Sequence, residues 1–289
     1  MININRIRSI IACSVLVIGV VIVVISSIQL INYYLSANKT EKEFDLIKDL
    51  IQEIEITSND RDNIDVENNE STSTEQLNKH DGNQLDVRQK LNYEALYELN
   101  KDFLGWIKID DTVIDYPVML TPKDEEFYLH RNFNGYYDFN GTPFCEAEID
   151  PIKPSDNITI YGHHIKSGIM FNQLDKFKSI DFYRTHKQFM FDTIYRWGTY
   201  EVIAVFLTNV NPGCFEYWNV KDCNEHEFNT YIQYCKENAL YKTDIIDTVK
   251  YGDKLLSLST CANHEENGRL VVVAKQISSE ETEFYKSLN

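Results

Sequence analysis

The chain has 289 residues, 43% of them hydrophobic, and carries 45 acidic against 28 basic side chains for a net charge of −17. That size suits one large domain or two small ones with a real core, and the charge argues against a nucleic-acid partner, whose phosphates would be repelled. Six cysteines, at 13, 145, 214, 223, 235 and 261, form no CxxC pair and no metal-ligand spacing, which argues against zinc. A disulfide between two of Cys145, Cys214, Cys223 and Cys235 stays open, since secreted proteins form such bonds.

Residues 10–31 form a 22-residue run without a charge, long enough to cross a bilayer as a helix. Arg6 and Arg8 precede it, and Glu41, Glu43 and Asp45 follow. The positive-inside rule therefore places residues 1–9 in the cytoplasm and the chain after residue 31 outside, with Tyr33 and Tyr34 at the outer interface. The run exceeds the apolar core of a cleaved signal peptide, about 7–15 residues, so it reads as a retained single-pass anchor in the cell membrane. Cys13 lies inside it and is no site candidate.

Residues 32–86 read as an extracellular spacer. Phe44, Ile47, Leu50, Ile51 and Ile54 keep helical spacing, which predicts a short amphipathic helix rising from the membrane. From 57 to 86 the composition turns to Asn, Asp, Glu, Ser and Thr, which buries too little surface to order itself.

A folded domain is expected over 87–289. Leu91, Ala95, Leu99 and Phe103 predict a helix over 87–103 that packs on the domain's edge. Short strands follow at 105–109, 112–118 and 141–146, separated by turn signals at Asp110-Asp111, Asn134-Gly135 and Asn140-Gly141. Such spacing favours a barrel over a parallel sheet. The run Asn157-Ile-Thr-Ile-Tyr161 alternates as a strand and ends in Gly162-His163-His164. Met170, Leu174 and Phe177 give helical spacing over 170–182, read as core, and 199–207 alternates as a strand. In the long connection 209–251, Phe228, Tyr231, Ile232 and Cys235 mark one face of a helix from about Asn224 to Ala239. Two β-branched-rich runs close the chain, 255–261 and 269–275, joined by the polar loop 262–268.

Chemistry enters at the ends of these strands. Antiparallel pairing of the last two runs would set Cys261 and Arg269 at one sheet edge, where a fixed cation favours the thiolate. A buried structural cysteine beside a surface arginine is the alternative from spacing alone. His163, just past a strand on a Gly-flanked loop, is well placed to act as a base. A thiol, an imidazole and a guanidinium at strand edges make a nucleophile, an acid/base and an oxyanion stabiliser.

Ser-Leu-Ser-Thr-Cys261, with Arg269 eight residues on and Tyr-Gly-His163-His before it, resembles a sortase, the cysteine transpeptidases of Gram-positive bacterial surfaces. The resemblance runs from about residue 93 to 277 and is to class B. It implies a closed eight-stranded β-barrel with peripheral helices, with which Tyr128-Leu, Phe133-Asn-Gly135 and Gly141 also agree, and a helix in the long connection beside the substrate groove. It implies cleavage after Thr in a sorting motif of secreted proteins through a Cys261 thioester, resolved by a cell-wall amine. His163 and Arg269 are the implied acid/base and oxyanion stabiliser. His163 is preferred over His164 because the family's histidine directly follows the glycine, and His264 reads as a loop residue. Some class B relatives carry an acid two residues after the cysteine, where Asn263 stands here, so no third acid is carried over. Ser259, Thr260 and His164 are expected to line the groove. No cofactor or metal is implied.

Other classes compete. Phosphatase loops hold Cys and Arg about a helical turn apart in a Gly-rich anion cradle, whereas eight positions separate them here and Glu265 and Glu266 would repel phosphate. An anchored, non-catalytic β-barrel that binds a ligand would share everything except the need for Cys261. A cysteine endopeptidase would use the same three residues and differ only in letting water resolve the acyl-enzyme.

Overall fold

The computed structural model describes residues 4–59, 93–121, 124, 126–145, 149–153 and 155–287. Residues 60–86 of the expected spacer and the first turns of the helix expected over 87–103 lie outside them.

The apolar run and the amphipathic stretch after it form one helix, α1 (Ile4–Asn59). Over Cys13–Asp49 it is long and apolar enough to cross a membrane. Its later part, residues 33–48, lies against the folded domain, with Ala37, Thr40 and Phe44 buried there. The Phe44 ring packs on Tyr116 at 5.0 Å, and Lys48 pairs with Asp115 at 3.2 Å. Phe44 and Ile47, the first two residues of the expected apolar face, thus pack on the barrel, and the side chains of Leu50, Ile51 and Ile54 lie outside those described.

A short helix α2 (Tyr93–Leu99) leads into eight strands: β1 (Phe103–Lys108), β2 (Asp115–Leu120), β3 (Phe144–Cys145), β4 (Asn157–Tyr161), β5 (Gln188–Thr193), β6 (Arg196–Asn209), β7 (Leu255–Cys261) and β8 (Gly268–Glu281). They close in the order β1-β2-β3-β4-β7-β8-β6-β5, as a β-barrel. Most neighbours are antiparallel, but β2 pairs parallel with β3 and β4 parallel with β7. The second pairing brings two strand ends to the same rim.

The wall is buried on both sides along β7 and β8, and period-two alternation divides it. Leu256, Leu258, Leu270, Val272 and Ala274 join the interior cluster, which also holds Ile107, Val118, Ile160 and Val202. Leu255, Val271 and Val273 face outward into a second cluster built by the helix α4 (Glu225–Asn238) through Phe228, Tyr231, Ile232 and Cys235. Asn224 caps that helix and Glu227 completes a capping box, worth about 1 kcal/mol at the cap.

The helical spacing over 170–182 becomes a 3-10 turn, Phe171–Lys178, followed by the short helix α3 (Ile180–Thr185) capped by Ser179. Phe171, Leu174 and Phe177 are fully buried, as core residues should be. All six cysteines are free thiols.

Candidate active site

The antiparallel ladder of β7 and β8 runs from Leu255↔Lys275 to Cys261↔Arg269. Cys261 follows Leu255, Ser257 and Ser259 on the outward face of its strand and is exposed where those three are buried. The turn from β7 to β8 is held by Ala262 N donating to Gly268 O and Gly268 N donating to Glu265 O. A Cβ at Gly268 would stand 2.4 Å from Ala262 O, so only glycine closes this loop tightly. Arg269 Nη1 donates to the carbonyls of Gly268 at 3.0 Å and Asn267 at 3.3 Å. Among the described residues no carboxylate pairs with it, so its remaining N–H groups stay free for another acceptor.

The imidazole arrives from β4. The parallel register reads Tyr161↔Ser259. His163 follows two residues after Tyr161, past the end of β4, and Cys261 two residues after Ser259, at the end of β7. Gly162 N donates to Ser259 O at 3.1 Å and Thr260 Oγ1 donates to Gly162 O at 2.8 Å, so the pairing continues past the strand end. Gly162 is required here because a Cβ would lie 2.6 Å from the Phe171 ring.

His163 Nε2 donates to Leu129 O at 2.8 Å. A carbonyl only accepts, so this bond assigns the proton to Nε2 and leaves Nδ1 as the acceptor of the neutral ring. Burial pushes the His163 pKa down; the Leu129 bond acts against this, and the nearby His130 adds to it. The ring is therefore neutral near pH 7, the state in which it can take a proton from a thiol.

His164 points to a different partner. Its Nε2 lies 3.1 Å from Asp175, which also holds Lys178 at 2.7 Å. Burial raises the Asp175 pKa, and the bonds from Lys178 and His164 outweigh it, so the carboxyl stays below the usual range. His164 is thus bound into a surface polar cluster. His264, exposed in the loop, pairs with Glu265 at 2.9 Å.

Ser259 and Thr260, expected along the groove, are buried to 1% and 2% exposure. The Ser259 hydroxyl is hydrogen-bonded to Tyr217 OH at 2.7 Å, under the outer helix layer, and Thr260 clamps Gly162 as above. Their hydroxyls hold β7 against its neighbours instead of facing a substrate. Ser257 does the same with Tyr231 at 2.8 Å and Asn157 at 2.9 Å.

Three other thiols, Cys145, Cys223 and Cys235, are disfavoured by their surroundings. Cys145 and Cys235 are fully buried. Burial pushes the Cys235 pKa up strongly, and burial together with Asp156 pushes Cys223 up to about 11. A buried or acid-flanked thiol is a poor nucleophile at neutral pH. Cys261 is the exposed thiol of the barrel rim.

Two residues escaped the sequence reading. His130 stacks on His163, and Leu129 accepts its proton. Both belong to the turn Phe127–His130, more than thirty residues upstream. Tyr128-Leu stood out as a run, but nothing in the local pattern ties it to a histidine so far along the chain.

A sortase domain profile matches residues 107–277. Sortase B of Listeria monocytogenes is 32% identical over 195 residues, covering 67% of this chain and 76% of that protein. Among solved structures, the Staphylococcus aureus sortase B–substrate complex superposes with a TM-score of 0.59 at 28% identity, over 64% of this chain and 84% of that one. Clostridium perfringens sortase B gives 0.57 at 31% identity, over 64% and 99%.

Proposed function

Because the chain belongs to the sortase family, and within it to class B, whose members are cysteine transpeptidases for surface proteins, we propose that it cleaves a sorting motif after Thr through Cys261 and passes the acyl group to a cell-wall amine. The observation that supports this reading is the meeting of β4, β7 and β8 at one rim, with Cys261 opposite Arg269 and His163 two residues past the end of β4.

In the proposed reaction the Cys261 sulfur attacks the carbonyl carbon of the Thr residue, and its proton passes to Nδ1 of His163. The carbonyl oxygen becomes an oxyanion facing the free N–H groups of Arg269. The C–N bond then breaks, His163 returns the proton to the departing amine, and a thioester remains. An incoming amine attacks that thioester, gives its extra proton to His163, and releases the Cys261 sulfur with a new amide bond formed.

The anchor belongs to the same proposal. Arg6 and Arg8 before the apolar run and the acidic residues after it support a cytoplasmic N-terminus and an extracellular catalytic domain. Domain limits of 10–31 for the anchor and 87–289 for the catalytic part follow from the same reading. The proposed partners are secreted proteins with a C-terminal sorting motif and the amine of a wall precursor.

The test uses the detergent-solubilised full chain, a panel of sorting-motif peptides, and mass spectrometry with and without added amine. Cleavage after Thr, an acyl adduct on Cys261 and amine-dependent ligation are expected. Cleavage without ligation by any wall-derived amine would establish an endopeptidase instead. Neither cleavage nor adduct would leave a binding module.

A further inference from the structure

The outer part of α1 is tied to two loops of the barrel, and both lead to His163. Tyr33 OH accepts from Ser167 N at 3.1 Å, on the loop that leaves β4 four residues past His163. Asn140 Nδ2 donates to Ser36 Oγ at 3.2 Å and Thr40 Oγ1 at 2.9 Å, and Thr40 donates to Asp138 at 2.7 Å. Further out, Asn132 donates to Glu43 at 3.0 Å. The segment 132–140 therefore runs beside α1, approaching the apolar run as it goes.

Distances along the helix say where these loops stand. Residues 10–31 span about 33 Å at 1.5 Å per residue, the thickness of a bilayer's hydrocarbon core, so its outer edge falls near Ile31. Tyr33 is then about 3 Å, Ser36 about 8 Å and Thr40 about 14 Å beyond that edge, against a headgroup layer of about 5–8 Å. The 132–140 segment also carries exposed aromatics: Tyr137 is 75% and Phe139 50% exposed. The tilt usual for membrane helices, about 20°, lowers that side toward the lipid when it leans its way. Aromatic rings and lysines are the side chains that settle at such an interface, and Lys166, next to Ser167, is exposed.

We propose that the catalytic barrel rests on the outer leaflet, with the Lys166–Gly168 loop at headgroup level and Phe139, followed by Tyr137, as its interfacial anchor. This rests on the anchored reading of α1 above. It goes beyond that reading because a helix alone would leave the domain free to stand away from the lipid. The occupant of this surface is the phospholipid headgroup layer, since the apolar helix emerges directly beside it. His163 is then held close to the bilayer on a loop whose outer end is fixed by Tyr33.

The experiment places single tryptophans in the full chain, as Phe139→Trp, Lys166→Trp and Tyr251→Trp, each reconstituted in phosphatidylcholine vesicles with or without brominated acyl chains. Tyr251 precedes β7 and so lies at the end of the barrel opposite Cys261, about 20 Å away along the strand. Emission is read against the parent protein, whose native tryptophans give the background, after flotation with the vesicles. The expected result is that the tryptophans at 139 and 166 lose most of their added emission in brominated vesicles while the one at 251 keeps its own. Flotation with no more quenching at 139 and 166 than at 251 overturns the docked position and leaves the anchor standing. Failure of the parent to float overturns the anchor and the docking together, whatever the peptide assay shows.

Discussion

The imidazoles of His130 and His163 stack with centroids 5.2 Å apart and planes 26° from parallel. Phe139 in turn stacks on His130 at 6.0 Å, and Leu129, the residue before His130, accepts the His163 proton. Two consecutive residues thus fix both the plane and the tautomer of the proposed acid/base. His130 is a positioning residue in this arrangement. Replacing it by Ala removes the stacked ring, which exposes His163 to water and takes away the ring's opposition to a proton on His163. The His163 titration midpoint, read by NMR at its ring carbon-bound protons, should rise, and peptide cleavage should fall by about 10-fold through misplacement. His130→Phe keeps a ring in place and should restore most of the rate. An unmoved midpoint in His130→Ala would remove this role.

His163 also links stability to pH. Its folded pKa lies below the usual 6.5, chiefly through burial. Below pH 6.5 the unfolded chain binds a proton that the folded one resists, so stability is unaffected above that pH and falls as pH drops through this window. His163→Gln removes the titration while keeping an amide donor for Leu129 O. The melting temperature of the parent should therefore fall more between about pH 7 and pH 5 than that of His163→Gln. Equal falls would show that His163 is not buried enough to matter.

Gly141 and Gly135 separate activity from stability within one segment. Both have positive φ, +65° and +78°. A Cβ at Gly141 would lie 2.3 Å from Leu129 O, the acceptor of the His163 proton, whereas at Gly135 the nearest atom is 3.8 Å away on Phe127. Alanine at either site costs about 1–2 kcal/mol for the left-handed backbone. Only Gly141→Ala must also move Leu129 O. Thermal denaturation should show losses in both variants, and the cleavage assay should show a loss of about 10-fold or more in Gly141→Ala alone. A matched activity loss in Gly135→Ala would mean that the loop as a whole, not the Leu129 bond, is what matters.

The parts of the fold that could be read from sequence are those whose side chains declare their burial. β7 and β8 appeared as apolar runs around a polar loop, and their pairing put Cys261 opposite Arg269 as expected. The helix α4 showed itself through Phe228, Tyr231, Ile232 and Cys235, all buried, behind Asn224 at its cap. β5 escaped because its turn into β6 is Ile194-Tyr195, two buried residues with none of the Gly, Asn or Pro that mark a hairpin. β8 runs on to Glu281 through Ser278, Ser279 and Glu280, since its pairing with residues 196–199 uses main-chain bonds that any side chain permits. At the candidate site the type and place of the residues pointed to Cys261, His163 and Arg269, of which the Cys261–Arg269 pairing is seen in the ladder. Their supports carry no such signal: Leu129 acts through a carbonyl, and the hydroxyls of Ser259 and Thr260, expected along the groove, are taken by Tyr217 and Gly162.

The pairing of Cys261 with Arg269 makes the sharpest prediction about chemistry. Cys261 is exposed at the end of its strand, so Cys261→Ala removes no core contact. Arg269 is half-buried and, among the described residues, its side chain holds the Gly268 and Asn267 carbonyls. Loss of such contacts at a rim changes stability by about 0.5 kcal/mol or less. Cys261→Ala should therefore abolish both cleavage and the acyl adduct while melting like the parent. Arg269→Ala should keep the thiol open to alkylation yet lower the cleavage rate by about 10²–10³-fold, the usual effect of removing one oxyanion donor. Arg269→Lys retains the charge but not the fork that serves two carbonyls and an oxyanion together, so its rate should lie between those of the parent and Arg269→Ala, nearer to the latter. If Arg269→Lys turned over like the parent, charge alone would suffice and the guanidinium geometry would carry no part of the reaction. If Arg269→Ala did so, the oxyanion would have to be held by main-chain N–H groups of the 262–268 loop instead.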